Sequence, residues 1–419
     1  MNYLFRPQDL PPKIPYEKIF NQLPSFDDDT RRKRGRPAFS KDSILRALIY
    51  KYLRGLPSLS ELAFELKNNL VLAETLGFPA FKTPPSIERF SYFLRNTANE
   101  RLQTFRRSLV QILIKEKVII GKVIAIDSCT IEANVRENNL KTSMPSRFDK
   151  SRNPSGDPEA KLGVKIYYPK SSKKRFTYYW GYRNHILTDA LSELPLHETT
   201  LTAERHEQKQ AVPMLRNLTE HFKLPFESVT ADANYDTEEI LSYIFHEMKA
   251  TPVIPKNPRA TRKDNFIVKK NTIICPANLE MYRRGKMNSR GRIYLQYSCP
   301  LYYGKKYKGK FLACPASHPK YFSQKGCNHL LRLSPTVREY IDYNSQRFKE
   351  VYKQRTSVER VFSRLLTITM SRPSVVGLLA TQNHCTIAHI TVLLIALAAH
   401  RSGADDKIRF VKTFLPNLT

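Results

Sequence analysis

Two short apolar runs in this chain each end at an aspartate. Residues 123–126 lead into Asp127, and residues 229–231 lead into Asp232. Short apolar runs predict buried strands, so each carboxylate should stand at a sheet edge. A third acid, Glu359, lies in a stretch with helical periodicity. Two strand-end carboxylates and one helical carboxylate could hold two divalent metal ions, roughly 3.5–4 Å apart, that clamp the attacking and leaving oxygens of a phosphodiester.

The charge of the chain indicates an anionic partner. Lys and Arg number 69 against 38 Asp and Glu, a formal net charge of +31. Such an excess destabilises a compact chain unless something anionic offsets it, and binding to phosphates with release of counterions is its usual use. Because the charge is spread along the chain and not confined to one tail, it favours nucleic acid over a membrane surface. A purely solubilising role is the alternative.

No segment is expected to span a membrane. The longest apolar run, residues 390–399, is far shorter than the ~20 residues required and predicts a core helix. The first 20 residues are broken by prolines and have no apolar signal core, so we expect no secretion signal and a cytoplasmic, nucleoid-associated location. The six cysteines should then be reduced, and burial or metal ligation is favoured over disulfides.

The N-terminal third is predicted to be helical and to bind DNA. Residues 1–39 form an irregular basic arm, 40–98 a helical domain whose first helix Ser40 caps, and 99–120 a connecting helix. The helices could form a helix-turn-helix-like unit, with packing or dimerisation as the alternative. In the arm, Arg34 and Arg36 flank a glycine and suit a narrow A·T minor groove, or belong to a simple basic linker.

From Gly121 onward, apolar runs and helical periodicity alternate, which predicts a mixed α/β sheet. The catalytic domain should occupy residues 121–257 and 337–401, followed by a tail at 402–419. Asp236 and Glu239 are predicted to form a capping box, and one helical stretch should run from Val337 through Glu359. Strands are expected at 123–126, 180–189, 194–201, 229–231 and 252–254, with a long polar loop at 139–175.

Residues 258–336 interrupt this pattern as a basic, tyrosine-rich insertion. Its cysteines and two of its histidines could form a zinc site, and three of the cysteines precede proline. No Cys-x2-Cys pair is present, although zinc sites normally use closely spaced pairs. Buried reduced thiols are therefore the alternative. The candidate ligands are Cys275, Cys299, Cys314 and Cys327, with His318 or His329 to complete the set.

Several stretches together resemble a known family, the insertion-sequence transposases with an RNase H-like DDE catalytic domain. Residues 123–128, 179–190 and 231–236 resemble its first and second aspartate motifs and the strand between them. Tyr352, Arg355 and Glu359 match the Tyr-x2-Arg-x3-Glu helix of bacterial members. The resemblance spans residues 35–400. The lysine that the family usually has seven residues after the glutamate is Leu366 here, with Arg364 nearby.

The resemblance implies an α/β fold with an RNase H-like sheet, and an enzyme that cuts DNA and transfers the cut strand. Asp127, Asp232 and Glu359 would hold two Mg²⁺ or Mn²⁺ ions, and Arg355 and Tyr352 would contact phosphate. Alternatively, Arg355 only orients Glu359. The partner would be double-stranded DNA, bound by a homodimer. Two other functions stay open, a catalytically silent DNA-binding regulator and a structure-specific nuclease of the same fold.

Overall fold

The chain divides into two compact units, Met1–Pro255 with Tyr343–Thr419, and Lys256–Asp342. The predicted insertion, residues 258–336, falls within the second unit. The predicted minor-groove residues Arg34 and Arg36 lie outside the part that the structure describes. The computed structural model describes residues 18–26, 39–79, 82–167, 175–257, 267–269, 272–289, 292–307, 309–323, 325–333 and 335–411.

Between residues 39 and 120, which the structure describes except for 80 and 81, five helices precede the sheet of the first unit. The Ser40 side chain accepts hydrogen bonds from the backbone N–H groups of Asp42 and Ser43, so it caps the first helix as predicted. Ser58 caps the second helix in the same way, through the N–H of Glu61. The five are α1 (Lys41–Leu53), α2 (Leu59–Asn68), α3 (Leu70–Thr75), α4 (Ile87–Asn96) and α5 (Asn99–Lys115).

The sheet of the first unit has six strands of mixed direction. They are β1 (Val123–Glu132), β2 (Lys161–Tyr167), β3 (Arg175–Asp189), β4 (Leu194–Thr202), β5 (Ser228–Thr230) and β6 (Thr251–Val253). β3 pairs antiparallel with β1, β2 and β4, whereas β5 runs parallel to β1, and β6 runs parallel to β5. The order β4-β3-β1-β5-β6 is that of an RNase H-like sheet, which confirms the predicted fold class.

Two predictions about the sheet are wrong. β1 does not end at Asp127 but continues to Glu132, because β3 pairs with it along this length. The stretch 139–175, predicted to be a loop, contains β2 and reaches the start of β3. Most side chains of this ribbon are exposed, including Tyr167 and Phe176. Without a buried face, the sequence lacks the alternation that marks a strand.

The remaining helices of the first unit also differ from prediction in places. They are α6 (Glu207–His221), α7 (Glu238–Ser242), α8 (Gln346–Lys353), α9 (Thr356–Thr367) and α10 (Leu378–Arg401). Thr237, not Asp236, caps α7, because its side chain accepts a hydrogen bond from the N–H of Ile240. The helical stretch predicted from Val337 through Glu359 is broken into a single 3₁₀ turn and two helices.

α10 is the centre of the first unit. It packs against α1, α4, α5 and β4, and nearly all of its residues are buried. The Tyr52 hydroxyl donates to the carbonyl oxygen of His384 (2.8 Å), and the Asn383 amide donates to the carbonyl oxygens of Leu94 (2.8 Å) and Thr97 (2.7 Å). The helical region 40–98 therefore shares a core with the sheet, and removing it would expose α10.

By length and composition, α10 could cross a membrane. However, 94% of its most apolar window of 18 residues is buried inside the protein. Core helices of this kind pass the same test of length and apolarity.

The second unit consists of β structure and short helical turns. β7 (Ile267–Lys269) and β8 (Thr272–Ile274) pair as a hairpin. A second antiparallel sheet consists of β9 (Tyr282–Ser289), β10 (Arg292–Ser298) and β11 (Asn328–Arg332), with β10 in the middle. Single helical turns occur at Pro300–Tyr303 and Pro319–Phe322.

Buried histidines should make the first unit unstable in acid. Burial lowers the pKa of His185 and of His384 to about 3, below the usual value of about 6.5. Between these two values the unfolded chain binds protons that the folded chain does not, so stability falls as pH falls below about 6.5. We expect each histidine to cost about 2 kcal/mol at pH 5 relative to pH 8. Thermal unfolding measured between pH 8 and pH 4 tests this.

His384→Gln should reduce the pH dependence of the melting temperature, whatever its effect at pH 8. His246→Gln is the matched control, because His246 is exposed and should leave the pH profile unchanged. A wild-type melting temperature that does not change between pH 8 and pH 5 would contradict the prediction.

Candidate active site

The strand register brings Asp127 and Asp232 together. Ala125 of β1 lies opposite Thr230 of β5 in a parallel pair, and each aspartate follows two residues later. β5 ends at Thr230, whereas β1 continues, with Asp127 paired to Ile186 on its other side. Asp232 therefore stands just beyond the end of one strand, next to Asp127 on its neighbour.

Local hydrogen bonds fix both carboxylates. One oxygen of Asp232 accepts from the backbone N–H of Asn234 (2.9 Å) and the other from the Asn234 side-chain amide (3.1 Å). Asp232 thereby caps the 3₁₀ turn Ala233–Tyr235. Asp127 accepts from the N–H of Ser128 (2.8 Å). Asn234 reads in the sequence as simple turn chemistry, yet in the structure it determines how Asp232 points.

Glu359 and Arg355 reach the site from the junction of α8 and α9. Tyr352 belongs to α8 and Glu359 to α9, so the motif does not lie on one helix as predicted. At the junction, hydrogen bonds between residues three apart replace the α-helical pattern of four. The N–H of Arg355 donates to the carbonyl oxygen of Tyr352 (3.0 Å), and the N–H of Val358 donates to the carbonyl oxygen of Arg355 (3.2 Å). α9 packs against β1 and β3, and α8 against β5 and β6.

Arg355 connects two of the three acids. One nitrogen of its guanidinium donates to Glu359 (2.7 Å), and another lies 3.8 Å from an oxygen of Asp127. Tyr352 stacks on Phe348, with ring centroids 6.2 Å apart. Tyr352 and both acids help to raise the pKa of Arg355 against the lowering effect of burial, so they are its near neighbours.

The electrostatics of the site are dominated by crowded carboxylates. Burial raises the pKa of Asp127 to about 6, and the nearby Asp232 and Glu359 raise it further against the lowering effect of Ser128 N–H and Arg355. Arg355 contacts two of these three acids, and carboxylate oxygens are the ligands that Mg²⁺ prefers. The donor set therefore fits a divalent ion. No group of three or more His, Cys, Asp or Glu among the described residues is already arranged around an ion position.

Two further residues border the acids and were not selected from the sequence. Tyr235 is buried, and its pKa lies well above the ordinary value because of burial first and then of Asp127 and Asp232. Arg183 of β3 pairs with Glu207 at the start of α6 and lies 3.4 Å from the Ser128 hydroxyl. A charged residue in the middle of a predicted strand was the available signal for Arg183.

The lysine that the family usually has seven residues after the glutamate is replaced here by a leucine. Leu366 is apolar and 44% exposed. Arg364 donates to the carbonyl oxygen of Glu193 (2.6 Å) and lies 3.3 Å from its carboxylate. Arg360 and Arg409 form ion pairs with the same glutamate. Arg364 is thus committed to a structural cluster at Glu193.

The structure brings together three of the four cysteines named as zinc ligands. Cys275, Cys299 and Cys327 belong to the buried core of the second unit. Cys314 is only partly buried and is not among the residues of that core. His318 instead caps its own turn, its ring nitrogen accepting from the N–H of Lys320 (3.2 Å), and His329 lies in β11 opposite Tyr297.

Two family models match the chain. The model described as "Transposase DDE domain" matches residues 121–394, and "Transposase domain (DUF772)" matches residues 8–96. The first of these spans β1, the sheet and the helices that carry Arg355 and Glu359. No curated protein sequence matches.

Two solved structures are similar over most of the chain at low identity. One is the cryo-EM structure of a piggyBac transposase synaptic complex with hairpin DNA (13% identity, 97% of this chain, 79% of that chain, TM-score 0.41). The other is the Mos1 transposase paired-end complex with left transposon end (12% identity, 82% of this chain, 83% of that chain, TM-score 0.17). Both TM-scores are low, and the family models are the stronger finding.

Arg355→Ala should strengthen divalent-metal binding in the absence of DNA. The guanidinium is the cation now in contact with Asp127 and Glu359, so its removal leaves the acids without that competitor. We expect Mn²⁺ to bind up to about fivefold more tightly, since a solvent-accessible ion pair is worth at most about 1 kcal/mol and 1.4 kcal/mol is a tenfold change. Isothermal titration calorimetry measures the affinity.

Arg360→Ala is the matched control, because Arg360 lies on the same helix as Glu359 but pairs with Glu193, away from the acids. Its Mn²⁺ affinity should equal that of the wild type. Weaker Mn²⁺ binding by Arg355→Ala would instead show that Arg355 serves to orient Glu359 for the metal.

Proposed function

The chain belongs to the transposase DDE domain family, and from this premise we propose that it cuts DNA and transfers the cut strand in a divalent-metal-dependent reaction. Its function as a transposase follows from the family. The observation that supports the chemistry is the convergence of Asp127, Asp232 and Glu359, with one guanidinium, where β1 and β5 stop pairing. Carboxylates are costly to crowd in this way unless a cation offsets them.

The three acids would hold Mg²⁺ or Mn²⁺. Two such ions, when bound, would activate the nucleophile, which is a water or a 3′-hydroxyl group. They would also stabilise the leaving oxygen. Asn234 keeps Asp232 oriented through both of its oxygens, and the Ser128 N–H holds Asp127. These hydrogen bonds keep both carboxylates in place before DNA binds. The entropic cost of positioning them is therefore not added to the barrier of the reaction.

Arg355 has a second role in this proposal. Its planar fork, now shared by Asp127 and Glu359, suits two oxygens of a phosphate. When DNA binds, the guanidinium would move from the acids to the phosphate next to the scissile bond. Tyr352, stacked on Phe348, would donate its hydroxyl to the same stretch of backbone.

For recognition of DNA, the exposed face of α4 is the candidate in the helical region. Phe90, Phe93 and Leu94 face the core, which leaves Arg89, Tyr92 and Arg95 exposed on the opposite side. Tyr92 is 59% exposed. Two arginines and a tyrosine on one helix face provide phosphate and base contacts in a major groove. Arg34 and Arg36 remain candidates for the minor groove, and we propose that a homodimer holds the DNA.

Asp127→Asn should abolish DNA cleavage and leave DNA binding intact. The change keeps the shape of the side chain but removes the charge that a metal ion needs. Purified protein is incubated with the DNA that flanks its own gene, with Mg²⁺, and nicks are mapped on each strand. Binding is measured separately in the absence of metal.

Glu132→Gln is the matched control: it makes the same change on the same strand, at a residue paired with Lys165 and Arg372. It should cut DNA like the wild type. If wild-type protein binds the flanking DNA without cutting it under any metal, a silent regulator replaces this proposal. Cutting directed by DNA shape and not by the flanking sequence would favour a structure-specific nuclease.

A double variant, Arg89→Ala with Arg95→Ala, tests the DNA-binding face. If both arginines bind phosphates, the slope of log affinity against log salt should decrease by about 1 per lost contact. If α4 reads bases, the preference for flanking DNA over shuffled DNA should also fall. Fluorescence anisotropy at several salt concentrations measures both.

Arg216→Ala is the control, since Arg216 is an exposed arginine on α6. Wild-type salt dependence and sequence preference in the double variant would exclude α4 from the interface.

A further inference from the structure

The core of the second unit is unusual because three of its eight buried members are cysteines. The cluster is small for a unit that covers Lys256–Asp342, because only five other buried side chains pack with the cysteines in it. A core this small seldom stabilises a fold without a staple such as a metal or disulfides. The cluster comprises Ile273, Cys275, Leu279, Met281, Leu295, Tyr297, Cys299 and Cys327.

The three cysteines come from distant parts of the chain and lie together in this buried core. Cys275 directly follows β8, Cys299 follows β10, and Cys327 immediately precedes β11. Three separate ends of strands therefore bring one cysteine each to the same core.

Tight turns follow two of these cysteines. The N–H of Cys275 donates to the carbonyl oxygen of Leu279 (2.8 Å), and the N–H of Asn278 donates to the carbonyl oxygen of Cys275 (2.9 Å). After Cys299, the N–H of Tyr303 donates to the carbonyl oxygen of Cys299 (3.0 Å). These backbone bonds fix the segments from which the two thiols project.

Gly326 allows the segment just before Cys327 to pack closely against Cys299. Its φ of +60° is in the left-handed region, and a Cβ there would lie 2.3 Å from Cys299 Cβ and 3.0 Å from Cys299 Sγ. Only glycine meets both conditions at low cost. The contact with Cys299 therefore requires glycine at position 326.

We propose that Cys275, Cys299 and Cys327 bind one structural zinc ion as thiolates. Zinc favours thiolate ligands, and its free energy of binding contributes directly to folding. Binding would release the thiol protons to solvent. In the described part of the chain, no group of three or more His, Cys, Asp or Glu has the geometry to hold a metal ion as it stands, so the three thiols would have to move closer together when zinc binds. This site is separate in chemistry from the carboxylates that would hold Mg²⁺, and it would stabilise the second unit.

Elemental analysis of the full-length chain, purified without chelator, tests the proposal. We expect about one zinc per chain, as for a single closed site. Cys327→Ala should lose the zinc, and Cys129→Ala, a cysteine of the first unit, should retain it. Replacement of zinc by Co²⁺ in the wild type should produce sulfur-to-cobalt charge-transfer absorption, which a merely misfolded variant would not explain.

Two glycine variants separate ligand geometry from backbone strain. Gly326→Ala should lower zinc content because the new Cβ clashes with Cys299. Gly309→Ala has the same type of left-handed backbone (φ +75°) but no atom within 4 Å of the added Cβ, so it should retain zinc. Equal zinc contents in the two variants would contradict the proposed geometry.

Cys314→Ser tests the fourth position. Loss of zinc assigns the position to Cys314, and retained zinc indicates a site of three thiolates completed by another donor. Both results support the site. The proposal is overturned if the wild type contains no zinc after growth with added zinc and does not take up Co²⁺, if mass analysis shows a disulfide among the three cysteines, or if Cys327→Ala still binds zinc.

Discussion

The parallel pairing of β1 with β5 positions the candidate active site. It lasts for three residues, from Val123 opposite Ser228 to Ala125 opposite Thr230. A shift of the register by one residue would turn a side chain to the other face of the sheet and separate the two aspartates. Asp127 and Asp232 stand beyond the last pair, where β1 has a partner on only one side. The carboxylates thus occupy the point where two strands diverge.

That short pairing is supported by a buried polar network around β4. Glu198 accepts hydrogen bonds from Asn184 of β3 (2.8 Å), Thr386 of α10 (2.6 Å) and Gln103 of α5. Burial raises the pKa of Glu198, and the hydrogen bonds and the nearby Arg106 oppose that rise. Hydrogen bonds in a low-dielectric core are strong, so they favour one arrangement of Glu198 and its partners. The network joins the sheet, the connecting helix and the central helix into one unit.

The candidate active site is acidic, although the chain as a whole is strongly basic. The chain carries a net charge of +31, yet Asp232 and Glu359 both lie near enough to Asp127 to raise its pKa, and Arg355 contacts two of these three acids. This local excess of acid in a basic protein is what a metal ion and a phosphate backbone together would neutralise. Arg355 balances part of it in the free protein, at the cost of occupying two of the acids. Under the proposed function, a metal ion and a phosphate would take over the two contacts that Arg355 now makes with these acids.

Much of the fold follows from local patterns in the sequence. Apolar runs indicate β1, β4 and β5, and Ser40 caps α1, whereas the Tyr-x2-Arg-x3-Glu motif is identified by its resemblance to the transposase family. The exposed β2–β3 ribbon could not be predicted in this way, because a strand without a buried face has no alternation to detect. The division of the motif between α8 and α9 was equally hidden, since the same periodicity continues through a tight turn.

The candidate sites show more clearly what cannot be predicted from the sequence. From the residues alone one can name the available acids and thiols and the local structures that carry them. Tertiary packing was needed to make Asp127 and Asp232 neighbours, to commit Arg364 to Glu193, and to bring three cysteines together without Cys314 among them. Each of these depends on pairing between segments far apart in the chain. Local propensity does not encode such pairing, because it arises from packing of the whole core.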